Sequence, residues 1–159
     1  DVAIIPAPDF KQKLAIVNYV VRAARTLGVE MPKVALLAAT EQMSVGMQAC
    51  VDAALIAKMG ERGQISGAVL DGPLALDVAI DKEAAEIKKL RSEVAGDADC
   101  LVFPNIESGN IFFKTCTKFA GAQLGAMVVG AKVPCVLTSR GDSVQSKLYS
   151  IALAASSAK

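Results

Sequence analysis

The sequence predicts an α/β fold: three layers, with a mostly parallel sheet carrying helices on both faces. Three observations lead there. Short, nearly continuous apolar runs at 33–39, 65–70 and 100–103 have the character of strands buried on both faces. Between them lie stretches with apolar residues three and four apart, and such alternation of buried strands with helices builds a parallel sheet. Apolar residues make up 53% of the chain but aromatics only 4%, with no Trp, so the core has to be built from Ala, Val, Leu and Ile in close helix-on-sheet packing. At 159 residues, with mean hydropathy +0.42, the chain suffices for one domain with a sizeable core.

The elements follow in order. Asp9 with Gln12 three residues later reads as a capping box, opening a helix over 10–27 whose apolar stripe is Phe10, Leu14, Val17, Val21 and Ala24; Gly28 closes it. The run 33–39 is a buried strand followed by polar Thr40-Glu41-Gln42, and a second helix spans 47–59. A strand at 65–70 ends in Asp71-Gly72-Pro73, where Gly and Pro predict a turn that leaves a carboxylate at a strand end. The Lys- and Glu-rich stretch 81–91 is the solvated face of a helix. Strand 100–103 is broken by Pro104-Asn105, and a helix over 111–120 has Glu107, Ser108, Gly109 and Asn110 at its entrance. Two short apolar runs, 125–129 and 134–137, flank Gly130-Ala131-Lys132, and an amphipathic helix over 143–155 completes the chain.

Composition excludes several function classes. Seventeen basic against sixteen acidic residues give net charge +1, which offers no general attraction for nucleic acid or an anionic membrane. No apolar run approaches the ~20 residues that span a bilayer, and no signal core follows the amino terminus, so a soluble protein is expected. Without His, imidazole bases and imidazole metal sites are ruled out, and Cys50, Cys100, Cys116 and Cys135 are scattered without a C-x-x-C pair. Reduced thiols in the cytoplasm are the expectation. Because residue 1 is Asp rather than Met, the chain is expected to be a piece of something longer.

Pro134-Cys135-Val136-Leu137-Thr138-Ser139-Arg140-Gly141-Asp142-Ser143 sets a hydroxyl, a guanidinium and a carboxylate at a strand-to-helix turn. Parallel α/β sheets bind ligands beyond the carboxyl ends of their strands, where helix N-termini offer unpaired N–H groups. The same residues also read as a helix cap, with Asp142 or Ser143 accepting N–H bonds and Arg140 a surface charge. Arg140-Gly141-Asp142 as an adhesion tripeptide needs a secreted loop, which nothing in the sequence marks. Other candidates carry two readings each: Asp71 as turn former or ligand, Glu107 as helix-dipole partner or ligand, Asn110 as cap or ligand, Lys118 and Lys132 as solvated or phosphate-holding. Glycines 125, 130 and 141 fit neither a dinucleotide nor a P-loop fingerprint.

Taken together, Asp71-Gly72-Pro73-Leu74-Ala75-Leu76-Asp77, Pro104-Asn105-Ile106-Glu107-Ser108-Gly109-Asn110-Ile111, Gly130-Ala131-Lys132-Val133-Pro134 and Thr138-Ser139-Arg140-Gly141-Asp142-Ser143 resemble the phosphate acetyl/butyryl transferase family in order and spacing. Lys147-Leu148-Tyr149-Ser150-Ile151-Ala152-Leu153-Ala154 is nearer its butyryl branch. The resemblance implies a two-domain α/β protein about twice this length, of isocitrate/isopropylmalate dehydrogenase-like fold, with 1–159 as a single domain of its carboxyl-terminal half and the terminal helix, about 142–156, belonging with the missing domain. It implies exchange of a short-chain acyl group, butyryl favoured, between coenzyme A and inorganic phosphate through an acyl phosphate. No metal or other cofactor is implied; coenzyme A is a substrate, and a homo-oligomer is expected.

By the same resemblance Ser139 would hydrogen-bond the thiol sulfur, Arg140 would hold the acyl phosphate, and Asp142 would stand in for a base. Asp142 is a substitute because the acetyl branch's catalytic acid falls at Ser146 here. Lys118 lies near a second arginine of that branch, and Asp71, Glu107, Asn110 and Lys132 complete the substrate-binding set. A non-catalytic acyl-CoA-sensing module of the same family is the competing class, and a phosphate acetyltransferase the competing activity.

Overall fold

The computed structural model describes residues 1–158; the last residue of the expected domain, Lys159, lies outside them. The chain divides into two compact units, one from Asp1 to Asn110 and one from Ile111 onward.

The first unit is built on three parallel strands, β1 (Lys33–Leu37), β2 (Val69–Leu74) and β3 (Cys100–Val102), in the order β2-β1-β3. Helix α1 (Phe10–Thr26) precedes β1, and α2 (Gln48–Glu61) crosses from β1 to β2. Helices α3 (Leu76–Ile80) and α4 (Lys82–Ile87) lie between β2 and β3, and α5 (Ile106–Phe119) leaves β3. The α/β class with a parallel sheet is therefore as the apolar patterning predicts. Strand β1 is central and almost wholly buried because its side chains alternate between two covered faces. Val34 and Leu36 join Val17 and Val21 of α1, Ala53 and Ile56 of α2, Ile65 and Val102 in the main core, and α3, with Val78 and Ala79 fully buried, also packs on β1. Asp9 accepts from the Gln12 amide (2.7 Å) while the Gln12 side chain accepts from the Asp9 amide (2.8 Å), which completes the expected capping box.

Two local expectations are corrected in this unit. Asp71-Gly72-Pro73 is not a turn after a strand: β2 starts at Val69 and runs through it to Leu74, with Asp71 opposite Ala35, a register shift beyond it and a cis Gly72–Pro73 peptide. Proline cannot donate to a ladder, so it is accommodated where the pairing is irregular. Residues 107–110 are not the approach to a helix but its first turns: α5 starts at Ile106, and Asn105 Oδ1 accepts the Ser108 amide at 3.0 Å.

The second unit holds the rest of α5 and α6 (Val144–Ser156). The runs 125–129 and 134–137 do not form strands. They meet through one antiparallel bridge, Val128 with Cys135, closed by backbone bonds of 2.8 and 3.0 Å. Buried Ser150 ties this segment to α6, accepting the Ala126 amide (3.0 Å) and donating to the Ser146 carbonyl (2.7 Å). Among the described residues no helix is long and apolar enough to cross a membrane.

Candidate functional site

In the second unit the expected cluster at 139–142 exists as one closed turn. The Asp142 amide donates to the Ser139 carbonyl at 3.1 Å, so Arg140 and Gly141 form the tip of a four-residue turn. The Ser139 amide donates back to Asp142 Oδ2 at 2.7 Å, and the Gly141 amide reaches Ser139 Oγ at 3.4 Å. Ser143 then caps α6, its Oγ accepting the Ser146 amide at 3.1 Å, as the cap reading predicts. Ser143 and Ser146 also share a hydroxyl–hydroxyl bond of 3.0 Å. Ser139 and Arg140 are exposed, and Arg140 has no ion-pair partner among the described residues. Turn and cap are adjacent, each closed by its own bonds: Ser139 with Asp142 in the turn, Ser143 with Ser146 at the helix start.

Charge reinforces that geometry. From Ile111 to the end, the sequence holds six cationic side chains, Lys114, Lys118, Lys132, Arg140, Lys147 and Lys159, and a single carboxylate, Asp142. Lys118 is exposed in the last turn of α5, and Lys132 is exposed in the loop closed by the Val128–Cys135 bridge. Such a unit favours an anionic ligand.

The remaining candidates lie in the first unit, where they are spread out. Asp71 stands on β2, and its Oδ1 accepts the amide of the adjoining Gly72 at 2.7 Å. Glu107 and Asn110 lie on α5, which follows β3, so the whole of β1 separates their side of the sheet from that of Asp71. Glu107 is exposed, whereas Asn110 Nδ2 donates to the Val2 carbonyl at 2.8 Å and fastens α5 to the amino-terminal segment. Gly109 lets that segment approach: a Cβ there would lie 2.7 Å from the Asp1 carbonyl oxygen.

The sequence reading missed a buried polar cluster at the carboxyl edge of the sheet. Lys13 Nζ pairs with Asp52 Oδ2 at 2.7 Å, with side chains only 10% and 8% exposed, and Gln48 Nε2 donates to Asp52 Oδ1 at 2.8 Å. The cluster borders a pocket of about 20 Å³, room for one water, also lined by Leu37, Ile56, Phe103 and Pro104. Its signal was present: Lys13 occupies the same stripe as Val17, Val21 and Ala24, so a lysine on the buried face required a buried partner. Nearby, Lys88 bridges Glu41 (3.2 Å), which follows β1, and Asp77 (3.6 Å) of α3; the bond to Glu41, then the charge of Asp77, holds Lys88 above the ordinary lysine value.

No disulfide links the four cysteines, all of which are free thiols. Burial, with the charge of Asp99 adding to it, pushes the Cys100 thiol up to about 11, so it is no nucleophile at neutral pH. The described residues contain no group of three His, Cys, Asp or Glu side chains arranged to hold a metal ion.

Fold and turn define the class: a parallel α/β protein that presents a serine hydroxyl and an unpaired guanidinium at a capped helix start. Within that class, the chain belongs to the family described as Phosphate acetyl/butaryl transferase, which it matches over residues 1–155. It is 49% identical to the phosphate butyryltransferase of Clostridium acetobutylicum over 155 residues, 98% of this chain and 52% of that protein. It is 44% identical to the phosphate acetyltransferase of Thermotoga maritima over 155 residues, 98% of this chain and 53% of that one. The crystal structure of a branched-chain phosphotransacylase from Enterococcus faecalis V583 matches with a TM-score of 0.89 at 38% identity, covering 99% of this chain and 56% of that one. The chain spans about half the length of the curated relatives it matches.

Proposed function

We propose that this chain is the carboxyl-terminal part of a two-domain phosphate acyltransferase. The enzyme exchanges a short-chain acyl group, butyryl by preference, between coenzyme A and inorganic phosphate, by way of an acyl phosphate. One observation carries the reading: a family member whose Ser139–Asp142 turn presents a hydroxyl and an unpaired guanidinium from a unit with only one carboxylate.

In the direction of acyl-CoA formation, the coenzyme A sulfur attacks the carbonyl carbon of the acyl phosphate. A tetrahedral oxyanion forms, the carbon–oxygen bond to phosphate breaks, and inorganic phosphate leaves with the proton lost by the thiol. Ser139 Oγ donates to the sulfur and favours the thiolate, while the planar fork of Arg140 holds two phosphate oxygens and stabilises the charge that accumulates there. Asp142 is the carboxylate of the same turn, and Lys118 and Lys132 attract the substrates' phosphates; Asp71, Glu107 and Asn110, in the first unit, enter the substrate-binding set on the family resemblance alone. Transfer between a thiol and a phosphate requires no metal or redox group. We place the enzyme in the cytoplasm, a reading supported by its four free thiols, and as a homo-oligomer, supported by exposed Leu137, Val144, Leu148 and Ile151 in the second unit.

The test is butyryl phosphate formation from butyryl-CoA and phosphate by the two-domain protein. Arg140→Ala is expected to lower kcat/KM by about 10²-fold, and Arg140→Lys by less, because a lysine keeps the charge without the fork. Arg140 is exposed, so melting temperature should not move. Equal activity of wild type and Arg140→Ala would remove Arg140 from the site. Binding of coenzyme A without turnover would replace catalysis by acyl-CoA sensing.

A further inference from the structure

We infer that Asp142 is the positioning residue of this site rather than its base. The inference rests on the acyl-transfer reading above and concerns how the Ser139–Arg140 pair is held. Three observations support it, all within the second unit.

First, the Asp142 carboxylate already has a short, charge-assisted bond: the Ser139 amide donates to Oδ2 at 2.7 Å. Secondly, the same residue closes the turn from its backbone, since its amide donates to the Ser139 carbonyl at 3.1 Å. One aspartate therefore satisfies both main-chain groups of Ser139 and leaves Arg140 at the tip, where its rotation would otherwise be set only by a flexible loop. Thirdly, Asp142 directly precedes the Ser143 cap of α6, so the turn it closes is joined without a spacer to the start of a helix. The carboxylate oxygen that faces Ser139 is thus occupied in holding the turn.

No other side chain of the unit can substitute. Asp142 is its only carboxylate, and α6 has no acidic residue in its first turn; Ser146 is there instead, bonded to Ser143. With the Asp142 carboxylate engaged by the Ser139 amide, the proton lost by the coenzyme A thiol passes to the departing phosphate, whose oxygen accepts it as the carbon–oxygen bond breaks. Thiol ionisation is favoured by the Ser139 hydroxyl and by the cationic surroundings, and Asp142 acts through the geometry of both neighbours.

Asparagine separates the two roles, because its carboxamide oxygen accepts the same Ser139 N–H bond but takes no proton. Asp142→Asn and Asp142→Ala are to be compared in the two-domain protein, with kcat and KM measured across pH and with hydrogen exchange of the 138–143 segment followed alongside. If Asp142 positions, Asn keeps kcat/KM within about fivefold of wild type with the acidic limb of the pH profile unchanged. Ala then loses about 10²-fold and its Ser139 amide exchanges faster. If Asn and Ala both lose 10²-fold or more, and Asn also loses the acidic limb while keeping its slow Ser139 exchange, Asp142 is the base and the inference falls. Wild-type activity in both variants overturns it equally. A wild-type protein that binds coenzyme A but forms no acyl phosphate would instead overturn the acyl-transfer reading and the positioning role with it, while the exchange data still report whether the turn is held by Asp142.

Discussion

Gly72 is where a single missing atom decides whether β2 can lie against β1. A Cβ there would fall 2.7 Å from the Leu36 Cβ, 2.8 Å from the Leu36 carbonyl oxygen and 3.1 Å from the Ala53 Cβ. Two of these neighbours are main-chain or strand-fixed atoms in the core and cannot rotate away. Gly72→Ala should therefore cost about 3 kcal/mol in urea unfolding, near the upper end for overpacking. Gly141→Ala, which meets nothing within 4 Å and has no left-handed backbone, should stay within about 0.5 kcal/mol. Equal stability of the two variants would mean that the β1–β2 approach at Gly72 is looser than described. This contrast also marks what could be read residue by residue. The Ser143 cap and the Ser139–Asp142 cluster involve partners two or three positions apart, so their chemistry was legible in the sequence. Asp71-Gly72-Pro73 looked like a turn because its deciding contact, Leu36, lies in another strand.

Among the elements, α1 and α2 are joined by a bond that neither helix announces alone. Lys13 lies in the first turns of α1 and Asp52 in those of α2, and both helices start at the carboxyl edge of the sheet because one ends before β1 and the other begins after it. Removing Lys13 leaves the Asp52 carboxylate buried with only the neutral Gln48 amide beside it. Lys13→Met should destabilise by about 3 kcal/mol, whereas adding Asp52→Leu should recover most of that loss, since well-packed apolar replacements of buried pairs are often neutral. Thermal melts of the two singles and the double give the coupling directly; additive losses would show that the charges are solvated and the pair incidental. Element identity was largely legible: α1 by its stripe and capping box, β1 by its continuous apolar run. The apolarity of 134–137 suggests a strand leading into the 138–143 turn, yet so short a segment extends a ladder only beside a partner strand, and among the described residues it pairs with the apolar run 125–129 through one bridge. The apolar pattern starts α5 at 111, whereas the Asn105 cap, which accepts the Ser108 amide, starts it at 106.

At the scale of the molecule, a net charge of +1 conceals a division. Residues 1–110 hold eleven basic and fifteen acidic side chains, while residues 111–159 hold six basic and one acidic. Every charge is legible in the sequence, but their sum is not the local field: +1 argues against a polyanion and says nothing against a phosphate-bearing small molecule. Coenzyme A carries a pyrophosphate and a further phosphate on its ribose, so cations in the carboxyl-terminal unit should bind it in part through unshielded charge. Screening shortens from about 10 Å at 0.1 M salt to about 3 Å at 1 M. In the two-domain protein the KM for acyl-CoA should therefore rise about tenfold across that range. The KM for the corresponding acyl-pantetheine, which lacks those phosphates, should rise less than about twofold. Lys118→Glu with Lys132→Glu should flatten the acyl-CoA curve toward the pantetheine one and leave the melting temperature unchanged, since both lysines are exposed. Parallel salt curves for the two substrates would show that the charge of this unit serves something other than the coenzyme's phosphates, and Arg140 would then hold its phosphate at close range without help from the surrounding field.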